Sequence, residues 1–211
     1  MKIHAYHEMY LSKAQSVLGN AFDYAVNDCN MLLKDFVKLF LVSSVSKKIE
    51  NGEPNYLVGK SGIDLVREII YETTKKEIEV KANENYIRTA DYWIGWAIAY
   101  FQWYSDRRFF EIFNVVTIED LQMMYYPLHE ADISKFVDIM EDKLRNYYND
   151  TNLKRIRNSI NMTQRELSVL SGISLRSIQM YEQKNKDINK ASVKTVYKLA
   201  KNLGCTIENL I

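Results

Sequence analysis

Residues 162–182 read MTQRELSVLSGISLRSIQMYE, and this stretch decides the fold of the segment around it. Thr163 is a good helix N-cap, and Glu166 three residues later completes a capping box. Gly172 follows where a turn needs a positive φ, which a residue with a Cβ resists. Ser174 can then cap a second short helix. Two short helices joined by a turn containing glycine form a helix-turn-helix, whose second helix enters the DNA major groove.

Apolar residues recur in this stretch at helical spacing. Leu167 and Leu170 fall on one face of the first helix, and Ile178 and Tyr181 fall on one face of the second. These four side chains are therefore predicted to be buried between the helices.

The segment from Leu153 to Ile211 resembles the XRE/Cro-type helix-turn-helix of phage and bacterial repressors. The positions that carry the resemblance are Leu153, Ile156, Arg157, Thr163, Gln164, Glu166, Leu167, Ser171, Gly172, Ile173, Ser174, Ile178, Glu182, Val196, Leu199, Ala200, Leu203, Gly204, Ile207, Leu210 and Ile211. The resemblance implies a five-helix, lambda-repressor-like domain over residues 150–211. One departure is Gln183-Lys184-Asn185, where the family usually has Asn-Gly after the glutamate, and there the loop can differ in shape.

The resemblance also implies which side chains face the DNA bases. They lie on the exposed N-terminal part of the second helix and are Ser174, Leu175, Arg176 and Gln179. Arg176 can bond bidentately to guanine O6 and N7, and Gln179 can bond to adenine N6 and N7. Leu175 can touch a thymine methyl group. The alternative is that Arg176 and Lys186 are only solvated surface charges.

A second group of side chains is predicted to contact the DNA backbone. Gln164, at the start of the first helix, usually braces a phosphate in this family. Ser177, Lys184 and Lys186 are also better placed for phosphates, which give affinity without sequence information. In the same family, the position of Glu182 holds the motif together by internal polar contacts, and the spacing suggests Arg157 as its partner.

The charge of the chain is distributed unevenly. Residues 151–211 carry 11 Lys/Arg against 4 Asp/Glu, a formal charge of +7, whereas residues 1–150 carry 17 against 23, a charge of −6. We therefore predict two domains: an acidic helical domain over residues 1–149 for a protein partner or dimerisation, and a basic DNA-binding domain over residues 150–211. A single reader contacts only a short half-site, so a homodimer is expected on double-stranded DNA.

The overall composition predicts an all-α globular protein. Of the 211 residues, 47% are hydrophobic and 26% charged, and only two prolines and seven glycines interrupt the helical patterns. The two cysteines lie in different segments and give no signal for a disulfide or a metal site. The sequence contains no apolar run long enough for a membrane span and no secretory h-region, so a cytoplasmic location is predicted.

Amphipathic and apolar helices are predicted throughout the N-terminal domain. Residues 31–49 continue one amphipathic pattern, and Ser61 and Thr117 are expected to cap further helices. The block 92–104, YWIGWAIAYFQWY, is apolar nearly all round, as expected for a buried helix. We favour a core role for this block. The alternative is that its rings line a small-ligand pocket or a partner groove, as in a one-component sensor.

The N-terminal segment also resembles an acidic helical domain of bacterial helix-turn-helix proteins encoded beside small toxin-like genes. The residues that carry this second resemblance are Tyr10, Leu11, Gly19, Phe22 to Asn27, Tyr92, Trp93, Gly95 to Ala97 and Pro127 to Phe136. It implies an antitoxin-like, autoregulatory role with a partner encoded by a neighbouring gene.

Catalytic chemistry is not indicated by the sequence. His4, His7 and His129 have no metal-ligand spacing together, and neither a Gly-rich phosphate loop nor a nucleophile–base set is recognisable. We therefore predict no enzymatic activity, no metal and no cofactor.

Overall fold

The computed structural model describes residues 4–83 and 88–211. Within these ranges the chain forms helices and no β-strand, which confirms the predicted all-α class. The α-helices of these ranges are α1 (Leu11–Asp23), α2 (Leu33–Val42), α3 (Ser44–Glu50), α4 (Gly62–Thr74), α5 (Ala90–Ser105), α6 (Phe109–Phe113), α7 (Ile118–Leu128), α8 (Ile133–Asn149), α9 (Asn152–Ser159), α10 (Gln164–Ser171), α11 (Leu175–Glu182) and α12 (Val193–Leu203). Each helix in the described ranges is too short or too polar to cross a membrane.

The chain divides into two compact units, Met1–Lys143 and Leu144–Ile211. The division lies inside α8, whereas the sequence predicts a boundary between residues 149 and 150. We call the two units the N-terminal unit and the C-terminal unit.

Helix α5 packs against α1 in the N-terminal unit. Ile94 and Ile98 of α5 are fully buried, which confirms that the aromatic block forms a buried helix. The two helices approach closely at Gly95. A Cβ at this position would lie 2.6 Å from the carbonyl oxygen of Leu18 and 3.0 Å from the Cα of Gly19. Glycine is therefore required at position 95 by the packing.

The amphipathic pattern predicted over residues 31–49 is interrupted in the structure. Ser43 is buried and extended (φ −73°, ψ 160°), and it separates α2 from α3. The Glu72 carboxylate of α4 accepts hydrogen bonds from the backbone N–H and the hydroxyl of Ser44, both at 2.8 Å. Because Glu72 supplies an acceptor to a free N–H at the start of α3, a new helix can begin there. The prediction of one continuous helix was wrong.

The core of the C-terminal unit consists of buried apolar side chains from each of its four complete helices and its last turn. These are Leu153, Leu167, Ile178, Tyr181, Val196, Leu199, Ala200, Leu203 and Leu210. Helices α9 to α12 and the short 3-10 helix Ile207–Asn209 correspond to the five helices that the resemblance implies, and a further 3-10 helix, Ile188–Lys190, lies between α11 and α12.

Leu170 was wrongly predicted to be buried, since 59% of it is exposed. The buried face of α10 instead runs through Leu167 and Ser171, which are one turn apart. At 3.6 residues per turn, Leu170 projects about 100° away from Ser171. Apolar spacing alone cannot distinguish these two directions in a helix of eight residues.

Candidate nucleic-acid interface

Helix α10 begins at the predicted capping box. The Thr163 N–H donates to Oε2 of Glu166 at 2.7 Å, and the Glu166 N–H donates to Oγ1 of Thr163 at 3.1 Å. The helix ends at Gly172, whose φ of +66° confirms the predicted left-handed turn. These local bonds fix where the first helix of the motif starts and where the chain turns.

Helix α11 begins at its predicted cap, Ser174. The Ser174 hydroxyl accepts from the Ser177 N–H at 3.2 Å and donates to the Ser177 hydroxyl at 2.8 Å. Both predicted DNA-contact hydroxyls are thus also engaged in capping the helix. A contact with DNA would have to use their remaining hydrogen-bonding capacity.

The two sides of α11 differ in burial. Ile178 and Tyr181 are buried in the core of the C-terminal unit, as predicted. Arg176 is exposed on the opposite side. The predicted base-contacting residues Leu175 and Gln179 are half-buried. The helix is therefore anchored by its apolar side and presents its only basic residue to solvent.

A buried ion pair connects α11 to α9. Arg157 donates from Nε to Oε1 of Glu182 at 2.7 Å and from Nη2 to Oε2 at 2.8 Å. Nη1 of Arg157 also donates to the Met162 carbonyl at 2.6 Å. The side chain of Arg157 is 10% exposed and that of Glu182 is 2% exposed. This bidentate pair confirms the partner predicted from spacing, and its hydrogen bonds raise the pKa of Arg157.

Gln164 joins the same network. Its Nε2 donates to Oε2 of Glu182 at 2.7 Å. Gln164 was predicted to contact a DNA phosphate, and this internal bond was not predicted. The Gln164 amide still has a second N–H and a carbonyl oxygen that can bond elsewhere. Its contact with a DNA phosphate therefore stays a prediction.

The loop after α11 has a left-handed residue at Lys184, with φ +59°. This is the position at which the resembled family has glycine. The Lys184 N–H donates to the Tyr181 carbonyl at 3.2 Å, and the Lys186 N–H donates to the Met180 carbonyl at 3.1 Å. Nζ of Lys186 lies 5.3 Å from the centroid of the Tyr181 ring. The loop therefore keeps a tight turn without glycine and has two exposed lysines.

The predicted contact residues fall into two groups. Lys184 and Lys186 line a groove of about 430 Å³ together with Arg155. The described lining of this groove includes none of the predicted contacts on α11, and it includes Asp150 and Asp187. Arg155, which belongs to the basic run of α9, was not among the predicted DNA contacts. The motif predicts that both groups contact the same DNA molecule.

Replacing Lys184 by glycine is expected to separate stability from DNA affinity. Left-handed backbone costs a residue with a Cβ roughly 1 kcal/mol, while glycine adds unfolded-state entropy of similar size. We expect the free energy of unfolding of the C-terminal unit, measured by urea titration, to fall by no more than about 0.5 kcal/mol. Affinity for all DNA sequences should fall alike if Lys184 contacts a phosphate.

The neighbouring change Asn185→Gly is the control, since Asn185 has neither positive φ nor charge. It should leave DNA affinity unchanged. A Lys184→Gly protein with wild-type affinity would remove the phosphate contact from the site.

The aromatic residues of the N-terminal unit have different surroundings. Trp93 and Trp96 line a cavity of about 200 Å³. Trp103 instead stacks on His4, with ring centroids 4.0 Å apart, and its Nε1 donates to the Tyr6 carbonyl at 2.8 Å. Among the described residues, no three His, Cys, Asp or Glu side chains are grouped so that they could hold a metal ion.

Residues 153–210 match the family model described as Helix-turn-helix. The match supports the resemblance inferred from the sequence and identifies this segment as a helix-turn-helix of the kind found in DNA-binding transcription regulators. It covers only the C-terminal part of the chain, so the antitoxin-like resemblance of the N-terminal unit stays a prediction. Neither the curated proteins nor the solved structures gave a match to this chain.

Proposed function

We propose that this protein is a sequence-specific, double-stranded-DNA-binding regulator of transcription, with residues 150–211 as its DNA reader. The proposal rests on the burial of one side of α11 and the exposure of the other. This helix is fixed by buried Ile178, Tyr181 and Glu182, while Arg176 at its N-terminal part is exposed. A rigid helix with an exposed basic residue is suited to the major groove.

The proposed contacts separate into base recognition and backbone positioning. Arg176 recognises guanine, Gln179 recognises adenine, and Leu175 and Ser174 contact neighbouring base edges. Gln164, Ser177, Lys184 and Lys186 contact phosphates. The charge of +7 over residues 151–211 favours this polyanionic partner. Two copies of the chain would bind half-sites about 34 Å apart, because one reader covers only a few base pairs.

Replacing Arg176 by alanine is expected to change which DNA is preferred. Wild-type protein is first used to select preferred duplexes from a random library. Loss of a bidentate guanine contact should then reduce discrimination at one position by about 1–3 kcal/mol, or roughly tenfold to a hundredfold. The measurement is fluorescence anisotropy with single-base variants of the selected duplex at fixed salt.

Lys201→Ala is the charge-matched control, since Lys201 is exposed in the last turn of α12 rather than on α11. It should keep the wild-type preference at every base pair. An Arg176→Ala protein with wild-type discrimination throughout would remove Arg176 from base recognition. Failure of the wild-type protein to select any sequence would overturn the proposal.

We further propose that the N-terminal unit binds a protein partner, as an antitoxin-like regulator of its own operon would. The charge of −6 over residues 1–150 favours a basic partner, because complementary charge speeds association. Met123 and Tyr126 of α7 are 69% and 82% exposed, and such side chains are enriched in interfaces. The test is affinity purification of the tagged full chain, expressed with its neighbouring genes and washed free of DNA. A stoichiometric partner supports the proposal, and an empty eluate counts against it.

A second candidate function is a one-component regulator that senses a small ligand through the aromatic residues of the N-terminal unit. One observation favours it: Trp93 and Trp96 line a cavity, whereas a tightly packed core would leave none. Its test is a change in DNA affinity when the cavity is occupied.

A further inference from the structure

The cavity lined by Trp93 and Trp96 in the N-terminal unit has an apolar floor and a polar rim. The lining residues that matter for binding are Arg88, Tyr92, Trp93, Trp96, Tyr125, Leu128 and His129. Tyr92, Trp93 and Leu128 are each 8% exposed, whereas Arg88 and His129 are exposed. An occupant would therefore meet apolar surface at one end and polar groups at the other. This arrangement selects an amphipathic molecule.

The volume of the cavity limits the size of its occupant. An apolar cavity of about 150 Å³ can hold benzene. A cavity of about 200 Å³ therefore has room for a single ring with one small substituent. It is too small for a typical drug-sized ligand, whose pockets begin at roughly 300 Å³.

The aromatic walls are held by contacts with one another. Trp93 and Tyr125 meet edge to face, with ring centroids 5.7 Å apart and an interplanar angle of 66°. Tyr125 stacks on His129 at 4.6 Å, and Nδ1 of His129 lies 3.0 Å from the Tyr125 carbonyl oxygen. Rings restrained in this way offer fixed faces and edges to an aromatic occupant.

Among the described residues, the charge at the rim favours an anion. The Arg88 guanidinium lies 5.1 Å from the Tyr92 ring centroid, and within the described residues it has no hydrogen-bonding or ion-pair partner. The described lining includes no Asp or Glu. Glu130 approaches Nε2 of His129 to 3.7 Å, but its side chain is 89% exposed and is screened by water. Asp23 accepts hydrogen bonds from Thr89 and Asn27 and does not line the cavity.

We propose that this cavity binds a small aromatic carboxylate of one ring. The ring occupies the floor between Trp93, Tyr125 and Leu128, and the carboxylate pairs with the Arg88 guanidinium at the rim, where bidentate bonding is available. Aromatic rings can also bind an organic cation. In this cavity the positive charge of Arg88 disfavours a cation, and the described lining has no carboxylate to attract one. This proposal extends the second candidate function. Any role of the cavity in regulation rests on that proposed function.

The test compares three probes of the same shape and different charge. Benzoate is anionic, benzamide is neutral and benzamidine is cationic. Each is titrated into the full-length protein to about 10 mM, because ligands of this size bind weakly even when they fit. Tryptophan fluorescence and calorimetry report binding, since two of the three tryptophans line the cavity. We expect benzoate to bind at least about tenfold more tightly than benzamide, as a charge-assisted hydrogen bond allows.

Two variants locate the charge preference. Arg88→Met keeps the apolar stem and removes the guanidinium, so benzoate and benzamide should then bind equally. Lys135→Met removes an exposed cation of α8 that does not line the cavity, and it should keep the wild-type preference. Benzamidine binding as tightly as benzoate, or no saturable binding of any probe, would overturn the proposal.

The same titration distinguishes the site from its use in regulation. Saturable benzoate binding that depends on Arg88 but leaves the affinity for the selected duplex unchanged supports the site and rejects the sensor function. Binding that shifts DNA affinity supports both.

Discussion

Replacing Glu182 by alanine is expected to lower the free energy of unfolding of the C-terminal unit by about 3–5 kcal/mol and to abolish DNA binding. The carboxylate accepts two hydrogen bonds from Arg157 and one from Gln164. Without it, the Arg157 guanidinium stays buried with a positive charge that only the Met162 carbonyl accompanies. Leaving a buried charge without its counter-ion costs more than the net value of the pair.

Two probes can follow this effect in the full-length protein. All three tryptophans lie at positions 93, 96 and 103, so tryptophan fluorescence reports the N-terminal unit. Far-UV circular dichroism reports the helices of both units. In urea, Glu182→Ala should show an early loss of ellipticity with an unchanged fluorescence transition. A shift of both transitions by the same amount would contradict an effect confined to the C-terminal unit.

The matched control is Glu208→Ala, which removes an exposed carboxylate of the same unit. Its effect should stay below about 0.5 kcal/mol, as for ordinary surface substitutions. The double variant Arg157→Met, Glu182→Leu removes both charges and retains apolar volume, so it should recover most of the lost stability. A double variant as unstable as Glu182→Ala would show that the loss does not come from an unpaired charge.

Replacing Gly95 by valine is expected to destabilise the N-terminal unit by about 3 kcal/mol or more. The first added carbon would lie 2.6 Å from the Leu18 carbonyl oxygen and 2.9 Å from Cγ of Phe22. A backbone oxygen cannot rotate aside, so α1 and α5 would have to move apart and lose contacts along their length. The higher helix propensity of valine offsets only a few tenths of a kcal/mol.

The tryptophan fluorescence transition measures this change directly, because all three tryptophans belong to α5. The midpoint of thermal unfolding should fall by roughly 10 °C in a unit of this size. Met123→Ala, at a side chain that is 69% exposed, should shift it by less than about 2 °C. A Gly95→Val protein with the wild-type midpoint would contradict the close approach of the two helices.

The local signals of the chain could be predicted without a structure because they act over three or four residues. The Thr163–Glu166 box, the Ser174 cap and the left-handed Gly172 all occur where the sequence places them. Each depends on backbone groups that a neighbouring side chain reaches by itself. The second helix of the motif and the family resemblance were predicted from the same local pattern.

Contacts between distant residues had to be seen in the tertiary structure. The Glu72 carboxylate accepts from the start of α3 from 28 residues away. The Ser43-Ser44 pair is compatible with a helix start, and the distant contact with Glu72 stabilises that start. Leu170 lies outside the core because Ser171 occupies the buried side of a short helix. Apolar spacing limits which side chains can be buried, but the position of the neighbouring helices decides which ones are.

The candidate sites show the same distinction between local signals and contacts that only the tertiary structure reveals. Sequence alone determined that residues 153–211 form a helix-turn-helix and that Arg176 lies on its second helix, since both follow from local spacing. Only the tertiary structure decided that Gln164 bonds to Glu182 and that Arg88 stands at the rim of an aromatic cavity. Gln164 and Glu182 lie on two different helices, and Arg88 lies just before α5 whereas Tyr125 and Leu128 lie in α7, so these contacts depend on how the helices pack.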